Sequence, residues 1–189
     1  MRIVGGRHRG RRLATPEGRD IRPTADRARE ALFNLLAHGP YASDAGPMPA
    51  DVDVLDAFAG TGALGFEALS RGAAHITFLE QDAAAVRLIK ENAATLKETA
   101  AVTVLQRDAT QPGPAPRPHG LALLDAPYRS GLTAPALAAL AADGWLAKDA
   151  IVVVELGKNE ELDVPAGFTP ADDRSYGAAR IILLRIVPD

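Results

Sequence analysis

Two short segments of the chain carry residue types that could do chemistry together: Asp56-Ala57-Phe58-Ala59-Gly60-Thr61-Gly62-Ala63-Leu64-Gly65 and Leu124-Asp125-Ala126-Pro127-Tyr128. Each follows a short apolar run of the kind that forms a buried strand. In the first, Gly60, Gly62 and Gly65 form a G-x-G-x-x-G, in which missing Cβ atoms permit a tight turn and let backbone N–H groups approach a ligand at a helix N-terminus. Taken alone, that pattern serves a dinucleotide and S-adenosylmethionine equally. The second segment offers a carboxylate, backbone carbonyls and an aromatic face to a planar amine. An exocyclic amine on guanine or adenine is a poor nucleophile because its lone pair is delocalised into the ring. Hydrogen bonds from its N–H₂ to Asp125 and a backbone carbonyl can aim the nitrogen, with Tyr128 stacked on an extruded base. A plain turn, with Pro127 rigid and Tyr128 packed, would read the same way, so the argument rests on the two segments occurring together.

Asp56 separates the two cofactors. A carboxylate at the strand end would repel a pyrophosphate and attract an ammonium, which favours the methionine end of S-adenosylmethionine. Glu80, at the end of the next predicted strand, is placed to accept from both ribose hydroxyls. Asp108 ends the third strand and could accept from an adenine amino group, unless it is simply solvated. His8, His38, His75 and His119 share no ligand spacing, so no metal is expected. The chain has no Cys, which removes disulfides and excludes the cysteine-addition route to pyrimidine carbons.

The elements that must position these residues follow from periodicity. Residues 1–22 read as a basic, bulged hairpin arm, with Ile3, Val4 and Leu13 flanking Gly5, Gly6 and Gly10. After Pro23, Thr24 can cap a helix running to Gly39-Pro40, with Ala28, Ala31, Leu32, Leu35 and Leu36 on one face. A surface loop follows over 40–50. Strands are then expected over 52–58, 75–80, 102–106, 121–124 and 151–156, and helices over 64–70, 83–96 and 133–142. Such alternation implies a mostly parallel sheet covered on both faces. The closing run 180–187 follows a strand near Phe168 with no helix between, so it returns antiparallel. A single domain is expected: arm 1–22, helix 23–39 and core 51–189.

The net charge of −3 conceals an asymmetry, because residues 1–29 hold nine arginines against Glu17, Asp20 and Asp26, a sum of +6 that leaves −9 for the remainder. A basic arm on an acidic body is the footprint of a polyanion partner. Arg7, Arg9, Arg11, Arg12, Arg22 and Arg27 are the expected RNA contacts, since arginine's planar fork suits phosphates and base edges. No apolar run approaches the roughly 20 residues that span a bilayer, and no apolar segment follows the first arginines, so a cytoplasmic location is expected.

These residues resemble a family, the RsmD-type 16S ribosomal RNA guanine-N2 methyltransferases. The resemblance runs nearly end to end: Arg2-Ile3-Val4-Gly5-Gly6, Arg9-Gly10-Arg11, Arg22-Pro23-Thr24-Ala25-Asp26-Arg27-Ala28-Arg29-Glu30, the glycine segment, Glu80 and Gly144-Trp145-Leu146. It implies an α/β, Rossmann-like class I S-adenosylmethionine-dependent methyltransferase with a mostly parallel seven-stranded sheet, an antiparallel C-terminal strand and the basic β-hairpin. It also implies the activity named 16S rRNA (guanine(966)-N(2))-methyltransferase, with S-adenosyl-L-methionine as cofactor. Asp56, Phe58, Gly60, Gly62, Glu80 and Asp108 would hold that cofactor, while Asp125, Ala126, Pro127 and Tyr128 would hold the amine. The partner would be ribosomal RNA or the small-subunit particle, and the enzyme a monomer. The family usually has Asp-Pro-Pro before Tyr or Phe. Ala126 replaces the first proline, yet it keeps its carbonyl, and Pro127 steers it away from the α region.

Three other readings stay open on the residues alone. A DNA adenine-N6 methyltransferase would use the same Asp-x-Pro-Tyr chemistry but needs a target-recognition domain, for which 159–189 is short. A nicotinamide dehydrogenase would use the glycine turn, and a non-catalytic RNA-binding module would leave that turn unexplained.

Overall fold

The computed structural model describes residues 1–16, 23–41 and 46–187, with backbone alone at 23–25. The helix expected after Pro23 is α1 (Pro23–His38), carrying Asp26 in its first turn; its expected cap, the Thr24 side chain, lies outside the described residues. The chain continues as β1 (Asp53–Ala57), α2 (Ala63–Ser70), β2 (His75–Leu79), α3 (Ala83–Leu96), β3 (Val102–Leu105), β4 (His119–Leu124), α4 (Thr133–Ala142), β5 (Leu146–Gly157), β6 (Phe168–Tyr176) and β7 (Ala179–Ile186). The sheet order is β3-β2-β1-β4-β5-β7-β6. Strands β1 to β5 run parallel, and β7 is antiparallel to both β5 and β6. No described helix is long and apolar enough to cross a membrane.

Two strands are longer than periodicity suggests, for a physical reason. Strand β6 has nine residues, but it is an exposed edge whose outward positions are polar, with a register shift at Pro170/Asp172; such edges lack the apolar alternation that marks a strand. Strand β5 starts at Leu146 rather than 151, through Lys148 and Asp149, with its register to β4 broken between His119 and Leu121. Buried His119 braces this corner, its ring nitrogens meeting Trp145 O at 3.0 Å and Thr77 Oγ1 at 2.9 Å.

Alternate residues of the central strands feed two cores. Val54, Leu121, Leu123, Ile151 and Val153 pack with α1, α2 and α3, whereas Leu55, Ala122, Leu124, Val152 and Val154 pack with α4. Burial on both faces is what a parallel sheet requires. Continuing the alternation, Asp56, Asp125 and Glu155 all fall on the α1/α2 face. β1 lies between β2 and β4, so connections diverge there to opposite sides, and a crevice forms at the carboxyl ends of the strands.

The N-terminal arm does not project as a free-standing hairpin. One bridge, Arg2 to Arg12, closes it, and Ile3 and Leu13 are buried in the α1/α2 core. Its turn lies on the end of α2: Arg7 N–H donates to Ser70 O (2.8 Å), His8 N–H to Ser70 Oγ (2.9 Å), and Ser70 Oγ–H to Gly5 O (2.6 Å). A Cβ on Gly6, where φ is +71°, would sit 1.9 Å from Ser70 O, so only glycine fits. Beneath the arm Glu67 is 0% exposed. It accepts from Val4 N–H at 2.8 Å and Arg71 Nε at 2.8 Å, and lies 3.5 Å from Arg29 Nε. Arg29 in turn reaches Arg2 O and Asp26, both at 2.8 Å.

Candidate active site

The glycine turn begins with a backbone outlier. Phe58 has φ +61°, a left-handed conformation rare for a bulky side chain, and it swings the chain from β1 so that Ala59 N–H reaches Leu79 O at 3.1 Å. The three glycines then have separate tasks. A Cβ on Gly60 (φ +55°) would meet nothing within 4 Å, so the turn is open there and a ligand can lie against bare backbone. A Cβ on Gly62 or Gly65 would come within 2.7 Å of Phe66 or 2.4 Å of Phe78, so these two let α2 approach the sheet.

Carboxylates pin the turn from below and behind. Asp56 Oδ2 accepts Gly65 N–H at 2.8 Å and the residue is 1% exposed; burial raises its pKa well above the carboxylate range, Gly65 N–H opposes this, and the charges of Asp125 and Glu80 add to it. Asp56, expected at a ligand's ammonium, lies beneath the turn with Oδ2 engaged by Gly65 N–H. Glu80 Oε2 accepts Gly60 N–H at 2.7 Å and its Oε1 accepts Asp82 N–H at 2.8 Å. Each oxygen keeps a second lone pair, enough for two further donors. Asp108 takes both the N–H and the hydroxyl of Thr110 on Oδ1, at 2.8 Å each.

The Asp125–Tyr128 segment leaves β4 next to this turn. Asp125 sits in a recess that solvent reaches from one side while protein crowds the others. That crowding first, and then the charge of Glu155, push its carboxyl up to about 7. Tyr128 is 47% exposed, and its hydroxyl donates to Glu155 Oε1 at 2.7 Å. Its pKa is raised by burial, by that hydrogen bond and by the charges of Glu155, Asp125 and Glu160. Arg129 has φ +59°, held there by its N–H on Glu160 Oε1 (3.0 Å), while Glu160 Oε2 accepts Gly157 N–H (3.2 Å). Sequence reasoning misses Glu155 and Glu160, because no motif marks them and only the β4–β5 pairing and the turn after β5 bring them here. Among the described residues no group of three metal-ligating side chains occurs.

The expected RNA-binding arginines divide. Arg9, Arg12 and Arg27 line one groove of about 690 Å³ with Met1, Arg2 and Glu30, and Met1 Sδ lies 3.8 Å from Thr61 Oγ1 on the glycine turn. Arg7 and Arg11 are turned away to the end of α3. Arg7 Nε donates to Glu98 at 3.0 Å, and Arg11 donates to Thr95 O at 2.5 Å, satisfying a free carbonyl at the negative end of that helix. Arg22 lies outside the described residues.

The family model described as conserved hypothetical protein 95 matches residues 1–185. The chain belongs to this family. Its curated relatives include the ribosomal RNA small subunit methyltransferase D of Escherichia coli (strain K12), 42% identical over 170 residues, 89% of this chain and 81% of the relative. The protein of the same name from Haemophilus influenzae is 35% identical over 181 residues, 94% of this chain and 89% of that one. Among solved structures, the Escherichia coli protein yhhF superposes with TM-score 0.82 at 36% identity, covering 100% of this chain and 99% of that chain. The RsmD-type resemblance stands, and so does the Rossmann-like methyltransferase fold.

Proposed function

We propose that the protein transfers a methyl group from S-adenosylmethionine to the exocyclic N2 amine of a guanine in small-subunit ribosomal RNA. The observation that carries this reading is the placement of Asp125-Ala126-Pro127-Tyr128 at the end of β4, beside the glycine turn and on the face that also holds the arginine groove. The relatives' names support ribosomal RNA as the substrate class. The residues present fit the cofactor: the open backbone at Gly60 can take a nucleoside, Glu80 retains lone pairs for ribose hydroxyls, and the carboxylates of Glu80 and Asp125 suit a cation better than a pyrophosphate. Bound there, S-adenosylmethionine supplies an electrophilic methyl group on a cationic sulfur.

The chain's own residues do the rest. Asp125 and the Ala126 carbonyl accept the two amine hydrogens and aim the nitrogen, Tyr128 stacks on the base, and Glu155 fixes the ring's angle through the hydroxyl. A carboxyl held near 7 is also suited to take the proton that the alkylated amine sheds. Methylation of RNA from a strain lacking the gene, with the nucleoside identified by mass spectrometry, tests the reading. N2-methylguanosine is expected, and N6-methyladenosine or no product would overturn it.

Two further outcomes are expected. Glu80→Ala should weaken S-adenosylmethionine binding by about 10- to 150-fold in calorimetry, the equivalent of one charge-assisted hydrogen bond; unchanged affinity removes Glu80 from the site. Replacing Arg9, Arg12 and Arg27 together by Ala should flatten the log K against log salt slope for RNA by about two units, at roughly 0.7 per contact. Arg7→Ala with Arg11→Ala should leave that slope unaltered while lowering the melting temperature, because these two hold the arm to α3.

A further inference from the structure

We propose that Glu155 reads the target base: with Asp125 it forms an acceptor-only pocket that takes the N1–H and N2–H₂ edge of guanine and rejects the bare N1 of adenine. This rests on the guanine reading above and adds a specificity-determining residue to it. Leu123 pairs with Val153 and Leu124 with Val154, so Asp125 and Glu155 stand on the next rung of two neighbouring parallel strands, on the same face. Adjacent strands lie about 4.8 Å apart, and nothing need intervene between the two side chains.

The hydrogen-bond count separates Glu155 from its neighbour. Both oxygens of Glu160 are taken by backbone N–H groups of Arg129 and Gly157. Glu155 gives only Oε1, to the Tyr128 hydroxyl, and its Oε2 has no partner among the described residues. The charges that act on the Tyr128 hydroxyl, those of Glu155, Asp125 and Glu160, are all acidic. Ionised carboxylates only accept. Guanine presents three donors along this edge, one on N1 and two on N2. Asp125 and the Ala126 carbonyl use the two on N2, and N1–H then faces Glu155 Oε2. Adenine presents two donors on N6 beside a lone pair on N1, which would oppose the carboxylate. A site built to pair with a donor discriminates strongly against the analogue that lacks it.

The test compares wild type, Glu155→Gln and Tyr128→Phe on a short RNA carrying either guanosine or 2-aminopurine riboside at the methylated position. 2-Aminopurine keeps the C2 amine but has a bare N1. Wild type should favour guanosine in kcat/KM by at least about tenfold. Glu155→Gln, whose amide can donate to a bare N1, should lose most of that preference, with S-adenosylmethionine affinity as the check on folding. Tyr128→Phe removes the brace but leaves the carboxylate, so it should keep the preference even as turnover falls. If Glu155→Gln discriminates as wild type does, Glu155 only braces Tyr128 and the inference fails while guanine methylation stands. If wild type makes no N2-methylguanosine, both readings fall together.

Discussion

Asp125→Ala is expected to lower kcat by about two to three orders of magnitude while S-adenosylmethionine affinity stays within a few-fold of wild type. An interaction made with the reacting amine appears in kcat, whereas cofactor binding is governed by the glycine turn and Glu80. The pH dependence follows from the recess. With its carboxyl pushed up to about 7 by crowding and by Glu155, Asp125 accepts on both oxygens and can take the amine's proton only above that pH, so wild-type kcat/KM should fall about tenfold per unit below it. Asp125→Asn keeps an acceptor without a titration, and should flatten that limb. The same shift bears on stability. The folded carboxyl binds its proton more tightly than the unfolded one, so the penalty is absent below about 4, grows as pH rises, and is complete above about 7. Solvent reaches the carboxylate and screens part of it, leaving about 1 kcal/mol. Asp125→Asn should therefore melt about 2–4 °C higher than wild type at pH 8. Near-normal single-turnover rates in Asp125→Ala would show that the chemistry lies elsewhere.

Glu67→Ala should be the most destabilising single change, by about 3–5 kcal/mol, because it takes from the largely buried Arg71 its carboxylate partner and leaves Arg29 with Asp26 alone. Glu67 is fully buried against Arg71 and Arg29, and Arg29 Nε has no hydrogen-bond partner of its own. The Val4 N–H would be orphaned as well. At about 2–4 °C per kcal/mol for a chain of this size, a fall of roughly 10 °C is expected in a thermal melt. Glu67→Gln, which keeps an acceptor for Val4, should lie between. A loss below 1 kcal/mol in Glu67→Ala would mean that the arm is held by Ile3 and Leu13 alone.

What the sequence reveals depends on whether a constraint is local. Gly60, Gly62 and Gly65 announce their turn because backbone conformation and close packing each dictate the residue type, and β1 to β4 announce themselves because burial on both faces leaves continuous apolar runs. Asp125 to Tyr128 are legible through their position after such a run. Glu155 and Glu160 are not, since they reach the site from a strand and turn some thirty residues later. Glu80 is only half legible. Its place at the end of β2 is visible, but its bond to Gly60 N–H depends on two segments twenty residues apart. The partners of Arg7 and Arg11 are illegible for the same reason: charge density is a property of a segment, whereas pairing with Glu98 and the end of α3 is a property of the fold.

The docking of the arm has a consequence for how the chain is made. Val4 meets its partner 63 residues later, Ala14 meets Asn92 78 residues later, and His8 meets Glu98 90 residues later. Domains emerge from the ribosome at about 5–20 residues per second, so the arm waits on the order of ten seconds for the surfaces it will lie on. During that interval its arginines and its two core side chains, Ile3 and Leu13, are unsheltered on the nascent chain. The arm thus reaches its place only after residues 67–98 are available to receive it.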